Sequence, residues 1–360
     1  NNTDGTCTAN ITNNLSNRRL NRNGAMQVNQ RGSVSISSDG YGGVDGFQFI
    51  KSGAVVATVT KDSDVPTGQG FASSMKIDIT TLDDQGSSDF LHIRHKLEGQ
   101  DCQAIKKGTA NAEKLTLQFW IKSTIEGTYV INLHDSDNNR HIGATYTVNT
   151  ANTWEKKTMT FPADTTGTLD NDANNSLEIR IHLEAGSDFT SGTLPTSWAA
   201  YSNANSAVGQ VNAVSSASNN IYFTGLQLEI SDHATDFEHR SFAQELLLCQ
   251  RYYQEIGMSI QMAGGTAGSS AIGNVNVPIA CPMRSAPTVA SGVTYHMWHG
   301  NNDGKNNNGT AMTIQSYGTN NPEGSVALKG YIAGFSGVTD NRSGSVCSNS
   351  GTHIKLSAEL

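Results

Sequence analysis

Ser176-Leu-Glu-Ile-Arg-Ile-His-Leu-Glu184 alternates apolar and polar side chains without a break. Successive side chains of an extended chain point to opposite faces. Leu177, Ile179, Ile181 and Leu183 therefore share one face, and Glu178, Arg180, His182 and Glu184 share the other. A helix would scatter both sets around its girth. The stretch reads as a strand with one core face and one polar face, the pattern of an antiparallel sheet.

The same signal recurs on both sides of it. In Phe90 to Leu97, the residues Leu91, Ile93, His95 and Leu97 lie on one side; Phe90, His92, Arg94 and Lys96 lie on the other. Leu115 to Lys122 puts Leu115, Leu117, Phe119 and Ile121 on one face. Further strands are predicted at Gly24 to Gly32 (Met26 and Val28 on one face), Gly127 to Leu133, Gly143 to Val148, Trp154 to Phe161 and Asn220 to Ile230. A long Ser-, Ala- and Asn-rich loop runs from Gly186 to Asn219. About ten strands joined by Gly, Asn and Asp turns predict an all-β domain, an antiparallel jelly-roll sandwich, over residues 20–240.

Next comes the one convincing helix, predicted over residues 241–257. Ser241 and Gln244 stand in capping-box positions, and Gly257 follows the last turn. Phe242, Leu246, Cys249, Tyr253 and Ile256 are spaced to form one apolar face. That face is expected to dock the helix on its own sandwich or on a neighbour's. Residues 258–360 read as a smaller C-terminal β-sandwich, and residues 1–19 as a polar arm, either an attachment segment or a frayed end.

Composition excludes several classes. Charged residues are 16 % and hydrophobic residues 36 % of the chain. No apolar run approaches the roughly 20 residues that a membrane-spanning helix needs, so no membrane insertion is expected. The net charge is −8, and the basic groups Arg18, Arg19 and Arg22 form too short a cluster for a nucleic-acid surface. The five cysteines, Cys7, Cys102, Cys249, Cys281 and Cys347, are scattered. They fit neither a disulfide scaffold nor a zinc site, and are consistent with assembly in a reducing cytoplasm.

No G-x-S-x-G, H-E-x-x-H, P-loop or dinucleotide-binding fingerprint is present. His296 and His299 lie three apart on a strand, as do His92 and His95, so each pair points to opposite faces and cannot share a metal. Asp135-Asp137-Asn139 and Asp170-Asp172-Asn174 offer alternating oxygens of the kind that hold calcium, but both lack the remaining ligands of an EF-hand. Solvated turns are the simpler reading, and no cofactor is expected. Glu178 and Glu184 share a face but stand roughly 20 Å apart along a strand, too far for a glycosidase pair. The chain is expected not to be an enzyme.

One polar and aromatic set remains. His92, Arg94, Arg180 and His182 lie on the non-core faces of two long strands, and Trp198 and Tyr201 of the long loop can overhang them. Planar polar groups and aromatic faces suit a sugar ring, which has an apolar face and a fringe of hydroxyls. The alternative is an ordinary solvated sheet face with Trp198 buried at its edge. The glycan reading requires both strands to lie in one sheet.

At the joint the sequence resembles a known family. Ile221-Tyr-Phe-Thr-Gly-Leu-Gln-Leu-Glu229 and Ala234 to Tyr253 are similar to a segment of bacteriophage tail-fibre and related virion proteins. Asn23 to Gly32, Phe119 to Ser123, Trp154 to Pro162, Pro282 to Thr288 and the closing Ser357 to Leu360 match in the same order. The resemblance implies a jelly roll like those of carbohydrate-binding modules, carried on a fibre, spike or head appendage. It implies homotrimers, attachment to host-surface glycan, contacts of the arm with other virion proteins, and residence in the virion. It supplies no catalytic residue. A capsid or tail decoration protein without a glycan ligand is the alternative, and a polysaccharide depolymerase the weaker one.

Overall fold

The computed structural model describes residues 17–82, 84–256, 262–269, 272–290, 295–299, 307–309, 311–316, 327–333, 343–348 and 353–360. The arm up to residue 16 lies outside this set, as do the side chains of His296 and His299. Residues 34–230 hold β1 (Val34–Ile36), β2 (Gly40–Tyr41), β3 (Phe47–Ser52), β4 (Val56–Asp62), β5 (Ser74–Thr81), β6 (Phe90–Glu98) and β7 (Leu115–Ser123). They continue with β8 (Gly127–Asp135), β9 (Arg140–Val148), β10 (Glu155–Phe161), β11 (Asn175–Ala185), β12 (Ala199–Ala200) and β13 (Asn220–Ile230).

These strands form two antiparallel sheets, the jelly-roll sandwich read from the sequence. One sheet runs β1-β4-β5-β13-β7-β10, and the other β12-β9-β8-β11-β6-β3-β2. The apolar sets of the alternating strands meet between them. Leu177, Ile179 and Ile181 of β11 and Leu91 and Ile93 of β6 are buried against Leu117, Phe119 and Ile121 of β7 and Phe223 of β13 in one core. Phe119 of one sheet meets Tyr146 of the other edge-on at 5.1 Å, and Tyr146 stacks on its own sheet's Tyr129 at 5.5 Å. Each large side chain so buried contributes about 1.5–3 kcal/mol.

The expected strand at Gly24 to Gly32 is instead a turn. Met26 has a positive φ of 55°, outside strand geometry. Asn23 organises the turn: its Nδ2 donates to the Val28 and Asp45 carbonyls, and its Oδ1 accepts from the Val28 amide. Met26 and Val28 are still buried, so the apolar spacing was real but the backbone carrying it is bent.

The joint helix spans Phe242–Gln250 with the predicted capping box at Ser241 and Gln244. It ends well before Gly257, because Tyr253–Ile256 is a strand that pairs with Ile354–Ser357. Tyr253 and Ile256 therefore leave the predicted apolar stripe. Its first member is also misplaced: Phe242 is 56 % exposed, as Leu247 is at 51 %. The buried face is Glu245 and Cys249. Arg19, itself buried, runs under the helix and pairs with Glu245, and its guanidinium lies 5.0 Å from the Phe237 ring centre. A buried ion pair thus takes the place expected for leucine and phenylalanine.

After the helix, Arg251 binds Glu98 of β6 at 2.7 Å through two nitrogens, and Tyr252 donates its hydroxyl to the same carboxylate at 2.5 Å. The smaller C-terminal β-structure follows. Its strands Tyr253–Ile256, Ile354–Ser357 and Thr288–Val289 form one small sheet, and the remaining described strands form another. The chain end folds back on the jelly roll, where the Leu360 carbonyl accepts from Tyr41 at 2.7 Å and Lys96 at 2.6 Å. Among the described residues no helix is long and apolar enough to cross a membrane.

Candidate functional site

The two strands of the predicted polar set are direct neighbours in the seven-stranded sheet. Arg94 of β6 stands opposite Arg180 of β11, and His92 stands opposite His182. On the other side of β11, Arg180 is opposite Asn132 of β8, and Glu178 is opposite His134. β9 extends the row with His141 beside His134 and Gly143 beside Asn132. Strict alternation carries all of these to the face away from the core, so a patch of polar side chains spans four adjacent strands.

The patch is knit by direct contacts. Arg94 donates its Nε to His92 Nε2 at 2.8 Å, and the His92 and His182 rings lie 5.3 Å apart. His182 Nε2 and Asn132 Oδ1 are 2.6 Å apart. Arg180 donates its Nε to Glu178 at 2.6 Å. Tyr201 closes one side: its ring meets His134 at 5.1 Å and His141 at 5.0 Å, and the Arg180 guanidinium lies 5.4 Å from its centre.

The long loop crosses one end of this face. The Tyr201 amide bonds the Asn139 carbonyl, and the Gly143 amide bonds the Pro195 carbonyl. A Cβ at Gly143 would meet the Leu194 side chain at 2.4 Å and the Asn132 amide nitrogen at 2.8 Å, so a larger residue here would displace both side chains. Beyond His92, Phe90 stacks on its ring at 5.2 Å and meets Phe189 of the loop edge-on at 5.0 Å. His92, His134, His141, His182, Asn132 and Arg180 are all buried, while Arg94 and Tyr201 stay half-buried.

Burial sets the charge state. Desolvation, with Arg180 close by, lowers His182 to about 3 and His134 and His141 to about 4. Desolvation and the neighbouring His182 hold His92 well below the ordinary histidine value. Burial alone would raise the Glu178 carboxyl, but Arg180 and Arg94 hold it below the usual range. At neutral pH the centre of the face thus holds two guanidiniums, the Glu178 carboxylate and four neutral imidazoles, with Lys96 and Glu184 farther along the same two strands. A neutral imidazole offers one donor and one acceptor, as a sugar hydroxyl does. Several of these atoms are uncommitted: both His141 nitrogens, His182 Nδ1 and Asn132 Nδ2 are buried and bond no described residue.

Trp198 is not part of this group. Its Nε1 donates to the Pro162 carbonyl at 2.9 Å, its ring lies 5.1 Å from the Lys107 ammonium, and it packs against the core at the sheet edge. Sequence reasoning missed Asn132, His134 and His141. The signal was there: extending the alternation of Ile131 and Leu133 by one step puts Asn132 and His134 on the polar face.

The loop read as one of two possible calcium turns is already filled by a cation of the protein's own. Lys107 Nζ lies 2.5 Å from Asp135 and 3.0 Å from Asp164, and donates to the Thr166 and Gly167 carbonyls at 2.9 and 3.0 Å. Asp137 accepts from the Asp170 amide at 2.9 Å, tying the first acidic loop to the second. Asp172 is taken up by Asn174 in its own turn. Among the described residues no group of three or more His, Cys, Asp or Glu is placed to hold a metal.

No family model matches the chain. No curated protein matches it. Solved structures do, at low identity. The enzymatically active domain of tailspike protein 4 of bacteriophage CBA120 is 14 % identical over 52 % of this chain and 19 % of its own length, with a TM-score of 0.31. The family 11 carbohydrate-binding module of a cellulosomal cellulase of Clostridium thermocellum is 14 % identical over 58 % of this chain and 98 % of its own, with a TM-score of 0.30. A xylan-binding domain from Paenibacillus barcinonensis is 12 % identical over 56 % of this chain and 94 % of its own, with a TM-score of 0.27. The matched part thus spans less than a fifth of the tailspike chain and nearly all of each binding module.

Proposed function

We propose that this chain is a non-enzymatic protein of a phage virion, a tail fibre, spike or head appendage, and that the outer face of its seven-stranded sheet attaches to host-surface glycan. The observation that carries the glycan reading is the continuous row of imidazole, guanidinium, amide and phenol groups across four adjacent strands. The virion setting is supported by the long joint segment that resembles tail-fibre proteins. Against hydrolysis stands Glu178: a glycosidase acid must hold its proton near neutrality, and the two arginines keep this carboxyl ionised.

A glycan array with the purified protein tests the reading. Retention of a defined set of saccharides is expected. Tyr201→Ala weakens it by about tenfold or more, the scale of a lost ring contact. Trp198→Ala, which touches the sheet edge, leaves the saccharide preference unchanged. An array with no retained saccharide refutes the glycan role and favours a decoration protein, and release of reducing ends from a retained polysaccharide refutes the non-enzymatic one.

The joint helix supports self-association. Phe242, Leu247 and Leu248 are exposed on it. Leu247 and Leu248 also border a groove of about 450 Å³ with Leu20, Leu97 and Tyr252. Apolar side chains grouped this way are ordinarily covered by a partner. A homotrimer is the expected assembly. Light scattering coupled to size exclusion should give three times the chain mass, and a monomer at high concentration contradicts it.

A further inference from the structure

We propose that the outer face is specific for acidic saccharides, and that Arg94 and Arg180 together receive the sugar carboxylate. This rests on the glycan reading above and adds the chemical class of the sugar.

The two arginines are direct cross-strand partners. Like charges placed directly opposite each other are destabilising, so such a pair needs compensation. Glu178 is the carboxylate that meets both, 2.6 Å from Arg180 Nε and 3.8 Å from Arg94 Nε. Along these two polar faces Arg94, Arg180 and Lys96 stand against Glu178 and Glu184, three positive charges against two negative, which leaves one positive charge over. The surrounding imidazoles do not change that count, because burial keeps them neutral. The positive spot is local, since the chain as a whole carries −8.

Geometry points the surplus outward. Arg94 spends its Nε on His92 and Glu178, while its terminal nitrogens bond no described residue and its side chain is 23 % exposed. The Arg180 guanidinium lies 5.4 Å from the Tyr201 ring centre. A guanidinium is a planar fork that fits a planar carboxylate with two parallel hydrogen bonds. The half-buried Tyr201 ring beside Arg180 offers a flat face to the same sugar. A neutral sugar would use that face but leave the charge on Arg94 unmet.

The test compares hexuronate- and sialate-containing oligosaccharides with their own methyl esters, which keep the shape and lose the charge. In calorimetric titrations the free acid should bind roughly tenfold or more tightly than its ester, the scale of a charge-assisted bidentate contact. Raising sodium chloride from about 50 to about 500 mM should weaken the acid and leave the ester unchanged. Arg94→Gln should bring the acid-to-ester ratio close to one, while Arg94→Lys keeps part of it. If Arg94→Gln fails to fold, the ratio and its salt dependence in the unaltered protein still decide. Equal binding of acid and ester overturns the acidic specificity and leaves the glycan reading standing. Retention only of neutral saccharides does the same. Absence of binding to every saccharide, acidic or neutral, removes both.

Discussion

Replacing Lys107 with methionine should lower the unfolding free energy by about 3–5 kcal/mol, the range for removing one partner of a buried ion pair. The side chain is 3 % exposed and its ammonium touches two carboxylates and two carbonyls. Methionine keeps the stem and its packing, so the loss is electrostatic rather than a cavity. Without the ammonium, Asp135 has Asn138 alone as a side-chain donor, whereas Asp164 retains Arg140 at 2.9 Å. The imbalance makes a second expectation: Asp135→Asn in the Lys107→Met background should recover part of the loss, because it removes the stranded charge. Urea unfolding followed by tryptophan fluorescence reads both, as a shift of midpoint at constant slope. A loss below about 1 kcal/mol would put the cluster in the class of solvated surface pairs. Lys107 thus ties β8 to the loops around residues 164 and 167, next to the sheet edge that carries Trp198.

Acidification should produce the other large effect, and its sign follows from the lowered histidines. His182 titrates at about 3 and His134 and His141 at about 4 in the folded protein, against about 6.5 in an unfolded chain. Between those values the unfolded state binds more protons, so stability falls as pH falls. His92 acts in the same direction. The buried His95 does so too. Stability is therefore expected to fall steadily from pH 7 toward pH 4, more steeply than in a protein whose histidines are solvated. The charged groups facing these rings do not offset the trend: Arg94 and Arg180 oppose protonation, and Glu178 is the carboxylate that favours it. Glu178 and Asp164 are held below the usual carboxylate range, so their contribution is lost only at still lower pH. Denaturant midpoints from pH 7 to pH 4 give the slope directly. A stability that stays flat down to pH 4.5 would mean that the imidazoles are solvated and free to charge in the native state.

The parts of this molecule legible in the sequence were those governed by period-two alternation. Strands β6, β7 and β11 and the polar row on two of them could be read because one face of each strand is apolar and the other polar. The turn at Asn23 was not, since a side-chain amide organising a loop leaves no periodic trace. The joint helix misled for a related reason. Its spacing of Phe242, Leu246 and Cys249 is apolar, yet the face turned inward carries Glu245, because Arg19, 226 residues earlier, neutralises it there. Nothing within the helix signals a partner that distant. The same holds for Lys107, whose carboxylates come from two other segments, and for Trp198, whose place at the edge follows from Pro162 and Lys107 rather than from its nearness in sequence to Tyr201.

If the outer face of the seven-stranded sheet is the ligand surface, histidine ring resonances recorded by NMR report it when a saccharide retained on the array is added. The signals of His92, His134, His141 and His182 should shift together and saturate with the binding curve, while the Trp198 indole signal stays in place. Shifts confined to His239 beside the joint, or to His353 in the C-terminal sheet, with the four face histidines unmoved, would contradict it.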